Sequence, residues 1–167
     1  MKRPLLRLLL AAVLVLAVYL LVRLSVSSTS VPEKLGVLQL ERAVTGDDAR
    51  AIVDRLHGRA VSPSRSTVGI YGGGGGTATL YVSRYARADS AAAVLEKMVE
   101  GIDRPGSPFD HLRLLPAAQH STYMCLGMGQ AHFFFACREQ LIWLSVDIPL
   151  AQAALDAVEQ DVCGKGS

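Results

Sequence analysis

The sequence predicts an α+β fold: an antiparallel sheet of about five to six strands with helices packed mainly on one face, plus an N-terminal transmembrane helix. Three observations lead there. An uncharged apolar run, Leu8 to Val22, lies close to the start of the chain. Beyond it, segments with the two-residue period of strands are interspersed with segments of helical period. The strand-like segments near the C-terminal end are joined by links too short for crossover helices, so they pair antiparallel.

The apolar run has 15 residues. At ~1.5 Å per residue it reaches only ~22 Å, short of a hydrocarbon core of ~30 Å. Extended from Leu5 to Val26 it reaches a marginal span, with Arg7 and Arg23 snorkelling to the two interfaces. A cleaved signal peptide is the competing reading, with Ser25, Ser27 and Ser28 as small residues for the cleavage site. Arg23 stands where such a site needs neutral residues, and the apolar core is long for a signal, so an uncleaved anchor is favoured. Lys2, Arg3 and Arg7 keep the start in the cytoplasm by the positive-inside rule and place the remainder outside. No Cys follows the run to carry a lipid.

Charge divides the chain at the same place. Four of the 17 basic residues and none of the 15 acidic ones precede residue 31, which leaves the remainder at net −2. The remainder shows no clustered basic face of the kind nucleic acid requires. The chain thus divides into an anchor over 1–26, a polar stalk over 27–35, a domain over 36–163 and a tail over 164–167.

Within the domain, LGVLQLERAV predicts a strand over Val37 to Ala43. TGDDARAIVDRLHG is a helix: Thr45 caps it, Asp47 and Asp48 suit its first turn, Ala49, Ile52, Val53 and Leu56 form its apolar face, and Gly58 ends it. STVGIYG and TATLYVSRYA are strands on either side of a glycine run. DSAAAVLEKMVEGI is a second helix, capped at Asp89 or Ser90, and DRPGSPFD breaks it. HLRLL is a weak strand; STYMCLGMG, HFFFAC and LIWLSV are stronger ones. A last helix starts near Pro149. The helices share an A-x-A-x-x-acidic-x-apolar pattern, which alanine-rich amphipathic helices show without common descent.

The run Gly72–Gly76 invites comparison with a phosphate-binding loop. Such loops lie between a strand and a helix. Here Ala78, Leu80 and Val82 alternate with Thr77, Thr79, Tyr81 and Ser83, so a strand follows, and no Gly-Lys-Ser/Thr closes the run. The glycines therefore read as a hairpin tip.

Among the residues able to carry chemistry, Cys125, Cys137 and Cys163 would lie in an oxidising space. The last helix should run back along the LIWLSV strand, which brings Cys163 near Cys137 and leaves Cys125 as a buried thiol. In a cytosolic setting three reduced cysteines would be the reading. Met124, Cys125, Met128 and His132 are ligands of the type that favours Cu(I). On one strand, however, Met124 and Met128 share a face that Cys125 does not, and methionines in a sheet commonly pack the core. His57 ends the first helix and His132 opens the Phe-rich strand. These two are the candidate ligand-binding pair, while His111 and His120 flank the HLRLL segment. No G-x-S-x-G, H-E-x-x-H or C-x-x-C motif is present, and no catalytic residue is assigned.

Phe133–Phe135 and Leu141–Leu144 are apolar at successive positions, so their strands present apolar side chains to both faces. Either both faces are covered, or one is an exposed patch for an envelope protein or a second copy of the chain.

LHG, SPFDHL and GMGQAHFFF, with IWL after them, resemble segments of uncharacterised bacterial single-span membrane-anchored proteins. The resemblance covers most of residues 36–160. It implies a small anchored domain outside the cytoplasm and brings no activity, cofactor or site residue. The resulting expectation is an extracytoplasmic binding or interaction module, without catalytic activity of its own, held to the bacterial cytoplasmic membrane by residues 5–26. The alternatives are a copper or redox protein using Met124, Cys125, Met128 and His132, and an enzyme with a site around His57 and His132.

Overall fold

Residues 65–84 contain two alternating segments separated by glycines, and they pair as a hairpin: β3 (Arg65–Gly73) and β4 (Gly76–Arg84). Gly74 and Gly75 form its two-residue turn with φ of 60° and 80°, a conformation that only glycine adopts without strain at both positions. The computed structural model describes residues 31–57, 63, 65–116 and 120–164. The transmembrane helix expected over residues 5–26 lies outside the described residues. Among these, no helix is long and apolar enough to cross a membrane.

The other strands are β1 (Lys34–Leu35), β2 (Leu38–Thr45), β5 (Asp110–Leu114), β6 (Tyr123–Gly127), β7 (Gln130–Cys137) and β8 (Gln140–Asp147). All pair antiparallel in one sheet of order β1-β2-β3-β4-β8-β7-β6-β5. The chain thus lays down two four-stranded meanders, β1–β4 and β5–β8, and joins them through their last strands. The helices are α1 (Gly46–His57), α2 (Ala88–Ile102) and α3 (Ala151–Val158). A 3₁₀ turn with Pro149 leads into α3, and a π turn, Glu159–Cys163, ends it.

The eight strands among the described residues correct the expected five to six. The sequence hides β1 because it is two residues long and sits in what reads as a stalk. Val31 and Leu35 nevertheless bury in the core, and the Tyr71 hydroxyl donates to the Pro32 carbonyl at 2.8 Å, so residues 31–35 belong to the domain. At the other edge, β5 is mostly exposed and carries a register shift between Asp110 and Arg113, which weakens its alternation.

The placement of helices is corrected as well: they cover both faces. On one face α3 contributes Ala154, Leu155 and Val158 to a core with Tyr71, Leu80, Phe133, Phe135, Ile142 and Leu144. On the other, α1 packs Ala49 and Val53 against Val68, and α2 packs Leu95 and Ile102 against Cys125, Phe134 and Leu141. The physical reason lies in β7 and β8. Consecutive bulky apolar residues leave no face that water can cover cheaply.

The sheet curls into a half-barrel. A helix touching both β1 and β8 shows why. In a flat sheet those strands stand four spacings apart, about 19 Å, which exceeds the width of a helix of ~10–12 Å. The β1–β2 turn closes directly on α3, where a Cβ at Gly36 would lie 3.1 Å from the Ala153 Cβ. The N-terminus of α2 also differs from expectation: Arg87 occupies the cap position without a capping hydrogen bond, and Asp89 lies inside the first turn. Asp89 accepts from Arg87 at 3.0 Å and from the Ser90 hydroxyl, which takes both candidate caps out of the role.

Leu144 is fully buried on the strand that joins the two meanders, whereas Leu114 is 54% exposed at the sheet edge. Leu144→Ala is expected to destabilise the fold by about 2–5 kcal/mol. Leu114→Ala should cost no more than about 0.5 kcal/mol. Urea unfolding of the full chain followed by circular dichroism checks the pair.

Candidate functional site

On the face that carries α1 and α2, β4 presents Thr77, Thr79, Tyr81 and Ser83. The register of β4 with β8 sets Thr79 opposite Ser145 and Tyr81 opposite Trp143. Helix α1 rests on β2 and β3, and α2 rests on β7 and β8. The two helices are therefore centred three strand spacings apart, about 14 Å. Packed helices approach to about 8–10 Å. By this spacing a trough separates them, floored by β4 and β8, with Phe109 reaching in to meet Trp143 at a centroid distance of 5.4 Å. Thr79, Tyr81, Trp143, Ser145, Gln130 and Asp147 are each half-buried along it.

One end of the trough is polar. The Asp147 carboxylate accepts from the Thr77 backbone N–H at 2.8 Å, from the Thr77 hydroxyl at 3.3 Å and from the Gln130 amide at 2.9 Å. The Ser145 hydroxyl donates to the Gln130 side-chain oxygen. The amide of Gln130 and the N–H of Thr77 hold the Asp147 carboxyl below the usual carboxylate range. Gly76 makes this closure possible, since a Cβ there would stand 2.8 Å from Leu150 Cδ1 and 3.1 Å from Asp147 Oδ2. The last glycine of the run thus seats the hairpin against the carboxylate.

The other side is dry. Register places Cys125, His132 and Ser145 side by side across β6, β7 and β8. Cys125 and His132 are buried. His132 Nε2 lies 2.9 Å from the Gly127 carbonyl oxygen, so that nitrogen carries the proton and donates. Its Nδ1 is buried with no hydrogen-bond partner among the described residues. Phe109 meets the imidazole edge-on at 4.9 Å, and Trp143 lies 5.4 Å from it. Burial lowers the His132 pKa against the opposing pull of its bond to Gly127. Burial pushes the Cys125 thiol up to about 11. Neither a thiolate nucleophile nor an imidazolium is therefore favoured here near neutrality. Gly127 admits Phe109 as cover, because a Cβ at that position would sit 2.6 Å from Phe109 Cδ1.

The residues singled out from sequence separate in space. Met124 packs into the core on the α3 side, while Cys125 and His132 lie on the α2 side. Met128 is 73% exposed in the β6–β7 turn with φ of 52°. The four are not brought together around one point. His57 is exposed and its Nδ1 bonds the Val53 carbonyl at 2.8 Å, a cap of its own helix. It sits at the end of α1, and His132 lies in the cluster of Phe109 and Trp143. Phe133–Phe135 are buried, as are Leu141, Ile142 and Leu144, with Trp143 half-buried. Those segments line the core and the trough and form no exposed apolar patch. Cys137 and Cys163 are joined in a disulfide, and Cys125 is a buried free thiol.

The sequence reading missed Tyr81, Gln130, Trp143, Ser145 and Asp147 as a group. The available signal was the polar half of two strand alternations, T-x-T-x-Y in β4 and W-x-S-x-D in β8. Only the β4–β8 register unites them. No family model, no curated protein and no solved structure matches the chain.

The buried row makes stability depend on pH at both ends. The folded chain holds His132 neutral below its ordinary value of 6.5, so the unfolded chain binds more protons there. Stability should be complete above about pH 6.5 and fall as pH drops, with the slope flattened in His132→Gln. Cys125 acts in the opposite direction. The unfolded thiol ionises first, so stability should fall as pH rises from about 9 toward 11, and Cys125→Ala should remove the part of that loss that begins near pH 9, leaving the part above about 10 that buried Tyr71, Tyr81 and Tyr85 add. Urea midpoints measured across the pH range check both.

Proposed function

We propose that this protein is a binding module without catalytic activity of its own, acting on the extracytoplasmic side of a bacterial membrane to which residues 5–26 attach it. The observation that carries this reading is the trough between α1 and α2. It pairs an aromatic floor, Tyr81 opposite Trp143, with the hydrogen-bonding cluster of Thr77, Gln130, Ser145 and Asp147. Aromatic side chains offer contact area at low entropic cost, and a few fixed polar groups orient what lies on them. Burial keeps the nearby Cys125 thiol protonated, so it offers no thiolate nucleophile to a bound molecule. The Cys137–Cys163 disulfide fits an oxidising compartment.

A second concavity, lined by Arg42, Val44, Asp48, Ile52 and Arg55 between β2 and α1, is open and shallow.

A photo-crosslinking residue at Thr79 tests the proposal in the native membrane, with the same probe at exposed Gln152 on the α3 side as control. A discrete adduct is expected from position 79 and not from 152. Trp143 is the single tryptophan of the chain, so its emission should shift when the captured partner is added to the purified protein. Tyr81→Ala should weaken that binding by roughly tenfold or more, the loss of an anchoring aromatic. Identical adducts at both positions, unchanged affinity in Tyr81→Ala, or turnover of the captured molecule would each overturn the reading.

A further inference from the structure

The disulfide corner holds a histidine beside its two sulfurs. His120 lies in the loop before β6, Cys137 ends β7, and Cys163 closes the π turn after α3. One imidazole nitrogen and the two sulfurs all lie within 4.8 Å of one another. The imidazole is held in place: it stacks parallel on Phe135 with centroids 5.9 Å apart. The buried Thr122 hydroxyl is positioned to bond both the His120 carbonyl at 3.4 Å and the Glu159 carboxylate at 3.3 Å, which ties this loop to the end of α3. The π turn is defined by the Gly164 N–H bonding the Glu159 carbonyl at 3.1 Å, and such widened turns recur at functional sites.

We propose that the reduced protein uses His120, Cys137 and Cys163 to bind a thiophilic divalent cation of the zinc type, and that disulfide formation excludes the ion. Zinc takes sulfur at ~2.3 Å and imidazole nitrogen at ~2.0–2.1 Å, which sets tetrahedral ligand atoms about 3.3–3.8 Å apart. The imidazole already lies within about an ångström of that spacing. The two sulfurs must part, and a Cα–Cα distance of 6.1 Å lets side-chain rotation do this without moving the backbone far. Three protein ligands leave the fourth position to water, on the side where His120 is half-buried rather than buried. This set is separate from Met124, Cys125, Met128 and His132, and it is independent of the trough.

The chemistry balances with an external dithiol as reductant. The dithiol gives two electrons and two protons to the Cys137–Cys163 disulfide and becomes a disulfide itself. The two thiols then lose two protons as their thiolates bind the cation, and neutral His120 completes a site of zero net charge. Exchange with an oxidised dithiol reverses the sequence: the thiolates give up two electrons as their sulfur–sulfur bond forms, the oxidant takes these with two protons, and the cation leaves.

The test uses the full chain, purified in mild detergent, reduced with a phosphine and titrated with Co²⁺ and then Zn²⁺. One equivalent of Co²⁺ should bind with the charge-transfer and tetrahedral d–d bands of thiolate ligation, and Zn²⁺ should displace it. His120→Ala should lower affinity by roughly 100-fold, since even second-sphere losses cost about 10–100-fold. Cys125→Ser should leave affinity unchanged, and the oxidised chain should bind no equivalent. If reduction unfolds the chain, Zn²⁺ should restore the native circular dichroism of the wild type and of Cys125→Ser but not of His120→Ala. The proposal is overturned if the reduced folded chain takes up no equivalent of Co²⁺ or Zn²⁺, if His120→Ala binds as the wild type does, or if Zn²⁺ fails to refold a reduced chain that has lost its structure.

Discussion

The pairing of β4 with β8 is the contact on which the rest of the structure depends. Seven consecutive residue pairs, Ala78↔Val146 through Arg84↔Gln140, join a meander from the first half of the domain to a meander from the second. Each meander alone would present one edge strand, β4 or β8, with a row of bulky apolar side chains bare on its α3 face. Such an edge is a template for association with other chains. Pairing the two edges removes both at once and leaves as outer edges only the two-residue β1 and the largely exposed β5. The partners lie about 60 residues apart in the chain, so the entropy of closing that loop must be met before the seam gains any burial. Leu80 opposite Leu144 and Val82 opposite Ile142, all buried, provide that gain on the α3 side.

The seam also determines where the helices stand. It is covered by α3 on one side, where the sheet curls until β1 and β8 both reach the helix. On the other side α1 stays with the first meander and α2 packs on the second, so the seam runs between them, with Phe109 reaching Trp143 at a centroid distance of 5.4 Å. Tyr81 and Trp143 stay half-buried at the inner borders of the α1 and α2 clusters. A close-packed pair of helices would have filled this space. The trough therefore exists because each helix is bound to its own meander and the seam sets the meanders side by side.

The Cys137–Cys163 corner closes the second meander onto its terminal helix. The bond spans 26 residues of chain, which chain-entropy arguments value at about 3.5 kcal/mol. It joins the end of β7 to the π turn, and the hydrogen bond of Thr122 to Glu159 brings the His120 loop to the same point. A structural staple and a three-ligand cluster thus share their sulfur atoms. The oxidation state decides which of the two arrangements those atoms can serve.

Much of the local structure was legible in the sequence, because it depends on interactions a few residues long. The Asp47–Asp48 start of α1, the apolar stripe of α2, the Gly74–Gly75 turn and the arrival of Pro149 before α3 follow from capping, periodicity and backbone freedom. The strand count was less legible, since β1 is too short to show a period and β5 is broken by a register shift. The both-sided apolar character of Phe133–Phe135 signalled that two faces need cover, but not that three helices would divide the work. The candidate site was least legible. Tyr81 and Trp143 are 62 residues apart, and nothing local to either strand specifies the register that sets them opposite each other. Equally, the sequence groups Met124, Cys125, Met128 and His132 by proximity along the chain, whereas the sheet puts Met124 on one face, pairs Cys125 with His132 on the other and leaves Met128 exposed in a turn. What the sequence by itself determined is most of the elements and the apolar stripe each carries, because those follow from local propensity and from the free energy of apolar surface. What only the tertiary structure decided is which elements meet, because that depends on how distant strands and helices jointly fill one core.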